Sequence, residues 1–430
     1  MPTRFLPKGL RDNAMLATLL FIVFIDILGF AICMPVVTPM FLSPQNGILP
    51  QGTSLADREM MIGIVIALYP IFQFFASPVL GALSDTYGRK RLLAYSLVGT
   101  CLSHVLFAIG IMAGNLALVL ASRILDGITS SSVTVVYSAV ADISTKQDKV
   151  KNFGLVGTAW GVAFLIGPVL GGILSDPHIV SWFGYATPFW FAAALTAANF
   201  VLMVCLFRET RPAKAARKPI DFLSGVRQVV KACNMPSLRP LFAVIFLFSI
   251  GSMFYWTLFQ LMLGVKFGYS SSQIGIALAY AAFWSILSQT IVLGWVSRNR
   301  PPLKMLAYSL PATAVAFFLL AVPSQDWAIY LVIPLVEISL GVAIASYIAQ
   351  VSNAAPKGEQ GEVMGITQAL RMLGGTMPPI VGGMMASAFI EAPMVAASIA
   401  VLLSWAVFMA YEKKVRENPR ATAAPMRLLL

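Results

Sequence analysis

Long apolar runs alternate with short polar loops along the whole chain, and most of those loops carry cations. A helix of about 20 residues spans a ~30 Å hydrocarbon core. Twelve runs have roughly that length, at approximately 14–40, 60–80, 92–112, 116–140, 151–174, 188–207, 239–263, 273–297, 304–323, 327–350, 362–387 and 392–412. None shows strong period-2 alternation and all are too long for barrel strands, so the pattern predicts helices, which satisfy their own backbone groups in lipid. The expected fold class is therefore an all-α membrane protein with twelve transmembrane helices.

Composition agrees, with 58% hydrophobic and 11% charged residues and a mean hydropathy of +0.81. A soluble domain carries about 25% charged residues. The net charge of +12 would suit nucleic acid, but its distribution follows the positive-inside rule instead. Twenty-six of thirty Lys and Arg lie in the N-terminal tail, in alternate loops, in the central 208–239 stretch and in the C-terminal tail. The opposite loops hold only Arg58 and Lys266, while Arg123 and Arg371 fall inside spans. Both termini are expected in the cytoplasm, and no nucleic-acid partner is implied. Span 1 is too long for a signal-peptide core and is read as retained. The four cysteines, Cys33, Cys101, Cys205 and Cys233, have neither metal spacing nor an outer pair, so no disulfide framework is expected.

The chain divides as residues 1–207, a cytoplasmic linker 208–238, residues 239–412 and a tail 413–430. A short amphipathic helix is expected in the linker near 222–232. FGLVGTAWGVAFLIGPVLGG from Phe153 aligns with MGITQALRMLGGTMPPIVGG from Met364 at an offset of 211, which also superposes Asp126 on Glu337. Two pseudo-symmetric six-helix bundles follow, and in such repeats the substrate site lies near the bilayer midplane.

Four segments carry a resemblance. They are GALSDTYGRK (Gly81, Asp85, Gly88, Arg89, Lys90), ASRILDG (Ala121 to Gly127), GTAWGVAFLIGPVLGG (Gly157 to Gly172) and FIDILGFAICMPVVTP (Phe24 to Pro39). In this order and placement they resemble the major facilitator superfamily, and within it the twelve-helix drug:proton antiporters typified by tetracycline efflux proteins. The resemblance covers essentially the whole chain. It implies a proton-coupled exporter in a bacterial inner membrane, monomeric and without a cofactor, acting on a small molecule. It also implies that Asp85 meets the start of span 11 near Glu362, that Arg89 pairs with Asp142, and that this cluster latches one transport state. The second repeat has Arg298 where Asp85 stands, so the latch is expected on one side only. The helix-5 signature residues Gly157, Gly161, Gly167, Pro168 and Gly171 are those the family associates with antiport, although glycines at four-residue spacing equally serve close helix packing.

Intramembrane charges point to function, because an ionised side chain at a helix centre costs roughly 2.5–3.5 kcal/mol on insertion scales. Asp26, Arg123, Asp126, Glu337 and Arg371 are the proton-coupling candidates. Asp26 and Arg123 lie at compatible depths, Arg123 and Asp126 share a helical face, and Glu337 and Arg371 both fall near mid-bilayer, where they could pair. Desolvation and a neighbouring cation act on a carboxyl in opposite senses, so a conformational change can load and unload a proton. The candidate cavity residues are Tyr69, Gln73, Tyr137, Trp160, Tyr255, Gln260, Tyr280, Trp284, Gln289 and Gln368. An aromatic, amide-lined site with few fixed charges suits an amphiphilic organic compound. No ATP-binding loop, metal cluster or nucleophile with its base is present, so the chain is not read as an enzyme or primary pump. The rival reading is a proton-coupled carrier of a metabolite, siderophore or amino acid, with import as well as export open to it.

Overall fold

The computed structural model describes residues 8–43, 48–129, 132–144, 149–210, 224–236, 238–355 and 360–417. In chain order its helices are α1 (Lys8–Leu42), α2 (Leu55–Tyr87), α3 (Arg89–Met112), α4 (Leu116–Thr129), α5 (Ser132–Ile143), α6 (Lys149–Leu174), α7 (Thr187–Leu206), α8 (Ser224–Cys233), α9 (Arg239–Phe267), α10 (Ser271–Leu287), α11 (Leu293–Asn299), α12 (Pro302–Ala321), α13 (Asp326–Ala354), α14 (Gln360–Thr376), α15 (Pro378–Ala388) and α16 (Ala392–Glu417). Among the described residues there is no strand.

Proline sets several of these starts. It opens α7, α9, α12 and α15 within the first two positions, where its missing N–H costs nothing. α9 ends at Gly268 with φ of +68°, the left-handed cap that glycine adopts without strain.

Among the described residues, ten helices are long and apolar enough to cross a membrane. The eleventh expected span appears as two shorter helices, α14 and α15, while in the fourth α4 and α5 are described on either side of residues 130–131, which lie outside the described residues. The break before α15 follows from Pro378 and Pro379, which supply no N–H to the preceding turn. The eighth span changes character midway: between α10 and α11, Ser288–Val292 form a π-helical turn, a local widening that recurs at functional sites. The linker helix expected near 222–232 is α8.

The chain forms two compact units, the first of Met1–Thr53, Ile71–Phe222 and Ser270–Ala279, the second of Ser54–Pro70, Leu223–Tyr269 and Tyr280–Leu430. In the first, α1 packs on α6 and α7, and α3 on α4 and α7. Leu19, Ile22 and Ile32 of α1, Leu93 and Leu97 of α3 and Val136 and Val140 of α5 share one hydrophobic core. The start of α10 joins this unit, and Ser272 donates to the Gly172 carbonyl at the end of α6 (3.1 Å). In the second unit α9 packs on α16, α14 and α15, and α12 on α13 and α16. The start of α2 joins it so closely that a Cβ on Gly63 would lie 2.5 Å from the Pro379 carbonyl oxygen.

Candidate functional site

Three clusters in the two units gather most of the charged residues singled out by sequence. The first is the α2–α3 junction. Gly88 has φ of +96°, so the chain turns there without a left-handed penalty on a side chain. Arg89, buried just beyond, reaches Asp85 (Nη2 to Oδ1, 2.7 Å) and Asp142 (Nε to Oδ2, 3.2 Å), and donates to the Ser84 hydroxyl. Lys90 donates to the Val204 carbonyl (2.7 Å). Sequence reasoning missed Glu209. Its carboxylate accepts the backbone N–H groups of Arg89 (2.8 Å) and Lys90 (3.1 Å), an anion at the positive end of α3. A Cβ on Gly88 would collide with that carboxylate. The lone acid in RETR after α7, among linker cations, was the available signal. Gly81 is half-buried in the last turns of α2, where its carbonyl accepts from Ser84 (2.8 Å). The Glu362 side chain, the expected partner of Asp85, lies outside the described residues.

The second cluster is buried in the first unit. Arg123 pairs with Asp126 (3.3 Å), and its guanidinium sits 4.7 Å from the centre of the Phe107 ring, which stacks on Phe189. Cys33 and His104 lie in the same field. Arg123 therefore takes its helical neighbour Asp126 as ion-pair partner and not Asp26, because a partner three residues along α4 is already positioned. Its Nε and Nη2, and His104 Nδ1, are buried without a hydrogen-bond partner. Asp26 is buried on α1.

The third cluster is in the second unit. Glu337 is buried on α13 and accepts a hydrogen bond from the Tyr255 hydroxyl of α9 (2.8 Å). The pairing of Glu337 with Arg371 considered above does not form. Arg371 reaches Gln368 one turn back on its own helix (3.5 Å), while Glu337 is taken up by α9. The π turn locks onto this point, since Ser288 donates to the carbonyl of Ile338, the residue after Glu337 (3.1 Å). Neither Tyr255 as partner nor the π turn was legible from spacing.

The remaining candidates scatter. Gln260 is buried, Tyr69, Gln73, Trp160, Tyr280 and Trp284 are half-buried, and Tyr137, Gln289 and Gln368 are exposed. On α6, Gly167 and Gly171 press against Ala31 and Ile32 of α1, whereas among the described residues nothing stands within 4 Å of a Cβ on Gly157. Pro168 turns its carbonyl to Gly275, and Gly161 is half-buried.

Comparison with known proteins places this architecture. The chain is 27% identical to the tetracycline resistance protein, class C, of Escherichia coli, over 86% of this chain and 89% of that one. It is also 27% identical to multidrug resistance protein 1 of Bacillus subtilis, over 94% and 97%. Among solved structures, a bacterial homologue of the human lysosomal transporter Spinster superposes with a TM-score of 0.73 at 13% identity, over 95% of this chain and 98% of that one. Its likeness speaks for the fold alone. The chain is a multi-span membrane transporter with bacterial efflux relatives, consistent with a bacterial cell membrane, and not an enzyme. The family model described as Major Facilitator Superfamily matches residues 19–379, and the chain belongs to that superfamily.

Proposed function

We propose that this transporter exports an amphiphilic organic compound in exchange for protons, by alternating access of its two six-helix halves, residues 1–207 and 239–412. The observation that carries this reading is the pair of buried carboxyls at repeat-related positions, Asp126 on α4 and Glu337 on α13, in a chain whose relatives are resistance proteins. Buried acids in a membrane bundle are costly and mark proton or substrate pathways. In this scheme Asp26, Asp126 or Glu337 takes a proton from the outer side and releases it inside as cargo leaves. Arg123 gates the exchange through its pairing with Asp126, and Arg371 lies in the second half as a further charge. The cluster of Gly81, Asp85, Gly88, Arg89, Lys90 and Asp142 is a cytoplasmic latch. Glu209 belongs to it by position, because it holds the end of α3 from which Arg89 projects. Both termini face the cytoplasm, and the protein works as a monomer in the inner membrane.

The test uses the full chain in proteoliposomes with and without an imposed pH gradient. Gradient-driven, outward-equivalent movement of amphiphilic compounds is expected, with coupling lost in at least one of Asp26→Asn, Asp126→Asn and Glu337→Gln. Full-rate, uncoupled export by wild type and all three variants would sink the scheme. Gradient-driven uptake of a metabolite, siderophore or amino acid would favour the carrier reading instead.

A further inference from the structure

The cluster around Arg123 holds one titratable group for which the scheme above has no use. His104 lies on α3, 2% exposed, one turn before Phe107 on the same helical face. The Arg123 guanidinium sits 4.7 Å from the centre of the Phe107 ring, so it lies against the face of α3 that carries the imidazole. The charges of Asp126 and Arg123 both act on that imidazole. Packing fixes the ring from two further helices. A Cβ on Gly29 of α1 would lie 3.7 Å from His104 Cε1 and 3.7 Å from Thr196 Oγ1 of α7.

Hydrogen bonding in this cluster is incomplete in a complementary way. Arg123 uses Nη1 on Asp126 (3.3 Å), while Nε and Nη2 are buried donors without acceptors. His104 Nδ1 is buried without a partner as well, and in a neutral imidazole protonated at Nε2 it is an acceptor. Buried polar groups left unpaired are costly, so donors and acceptor in one cluster call for a second arrangement in which they meet. Few other titratable groups face this level. On α1 they are Asp26, three residues before Gly29, and Cys33, four after it; Cys33 donates to the Gly29 carbonyl (3.3 Å). α7 presents Ala192 and Thr196, neither of them titratable. On α5 Tyr137 is exposed, and Asp142 is engaged by Arg89 at the α2–α3 junction.

A proton is what would drive the exchange. When Asp126 takes one its carboxyl turns neutral, and the buried guanidinium loses its countercharge. We propose that His104 then accepts the Arg123 guanidinium at Nδ1, so that it positions Arg123 in the proton-loaded state and sets how readily Asp126 loads. His104 itself stays neutral, because a second cation beside Arg123 would be repelled. The proposal rests on the proton-coupled reading above and adds the residue that stabilises its loaded form.

The test needs neither gradient nor cargo, because the probe is the proton. The full chain in lipid is titrated with acid while infrared spectra follow the carboxyl band that Asp126→Asn removes, and nitrogen NMR of isotope-labelled histidine follows the imidazole. The chain has two histidines, and His178→Asn leaves His104 as the single signal. The expected result is an Nδ1 that carries no proton throughout and shifts to its hydrogen-bonded position at the same midpoint as the Asp126 band. His104→Leu, which keeps bulk but lacks the acceptor, should lower that midpoint by roughly one pH unit or more. His104→Asn, whose Oδ1 stands in for Nδ1, should restore most of it. A histidine that only packs would change stability and leave the midpoint in place. An Nδ1 signal unchanged across the Asp126 titration overturns the proposal, and this arm keeps Arg123, Asp126 and His104 intact. So does a folded His104→Leu protein with the wild-type midpoint, an imidazole that becomes doubly protonated as Asp126 loads, or an Asp126 that takes no proton wherever the protein is folded. If these arms hold and proteoliposomes show no gradient-driven export, the exporter reading falls and the positioning role stands. If gradient-driven export requires Asp126 while Nδ1 does not respond, the reverse follows.

Discussion

Asp126 and Glu337 occupy the same place in the two sequence repeats, yet the two units neutralise them differently. At Asp126 the countercharge is built into the same helix, three residues earlier, as Arg123. At the equivalent place before Glu337 the repeat offers Pro334, which has neither charge nor N–H. The partner must come from another helix, and it is the Tyr255 hydroxyl. A cation and a phenol are different solutions to one burial problem. The first holds a charged pair locally. The second leaves a carboxyl that is hydrogen-bonded, with no cation paired to it among the described residues.

The strongest way to break this contrast is to remove the cation. Arg123→Leu leaves Asp126 buried without its partner, and breaking such a pair costs about 3–5 kcal/mol. The double variant Arg123→Leu with Asp126→Leu should recover most of that loss, because both charges are then absent. Denaturant titration of the detergent-solubilised protein reads both values. A single variant no less stable than wild type would mean that Asp126 does not depend on Arg123. In the second unit Glu337→Leu should cost far less than Arg123→Leu, since no buried cation is left behind.

Packing offers the next largest effect. Gly171 and Gly382 are also repeat-related, and each is pressed by the first helix of its own half. At Gly171 the obstacle is the backbone carbonyl of Ile32, while at Gly382 it is the tip of the Leu258 side chain. Backbone cannot give way locally and a leucine tip can. Gly171→Ala should therefore cost about 1–3 kcal/mol, the range for overpacking, and Gly382→Ala less. Equal losses in thermal unfolding would show that the two helix crossings are mechanically equivalent.

These two comparisons also mark how far the sequence could be read. The helical fold, most of the spans and the family were visible in hydropathy and in four ordered motifs, because length and apolarity are local properties. The Arg123–Asp126 pair was visible as a spacing of three on one helix. The partner of Glu337 was not, since residues 255 and 337 are brought together only by the packing of α9 near α13, and a search for opposite charges pointed to Arg371. Glu209 was hidden for the same reason: it acts on the start of α3 from well over a hundred residues away. The break in span 11 went unseen because a hydropathy window averages across a turn such as Met377–Pro378.

Tyr255→Phe separates the two states open to Glu337. It removes the hydroxyl that donates to Oε1 while keeping the ring against Phe317 and Phe259. If the carboxyl is neutral in the resting protein the loss should be about 1 kcal/mol, and if it is ionised about 1.5–3 kcal/mol, the range for hydrogen bonds to charged groups. The same denaturant titration decides. A loss in the upper range would mean that the carboxyl held by Tyr255 is ionised in the resting protein.

The smallest effect concerns the ends of the two units. The first unit gathers half-buried ion pairs at the α2–α3 junction, whereas the second ties the end of α12 through Lys266, which binds Glu391 and the Ala321 carbonyl. The hydrogen bond from Lys266 holds the Glu391 carboxyl below its ordinary value of 4.5. A depressed acid stabilises the fold above its unfolded pKa, and that contribution is lost as pH falls through the lower, folded value. Glu391 is 37% exposed, so solvent screening limits the pair to less than about 1 kcal/mol. Acidification from pH 5 to pH 3 should lower the unfolding temperature slightly more in wild type than in Glu391→Gln, and added salt should shrink the difference. An identical acid response in the two proteins would mean that the strut at this end is carried by the Lys266 bond to Ala321 alone.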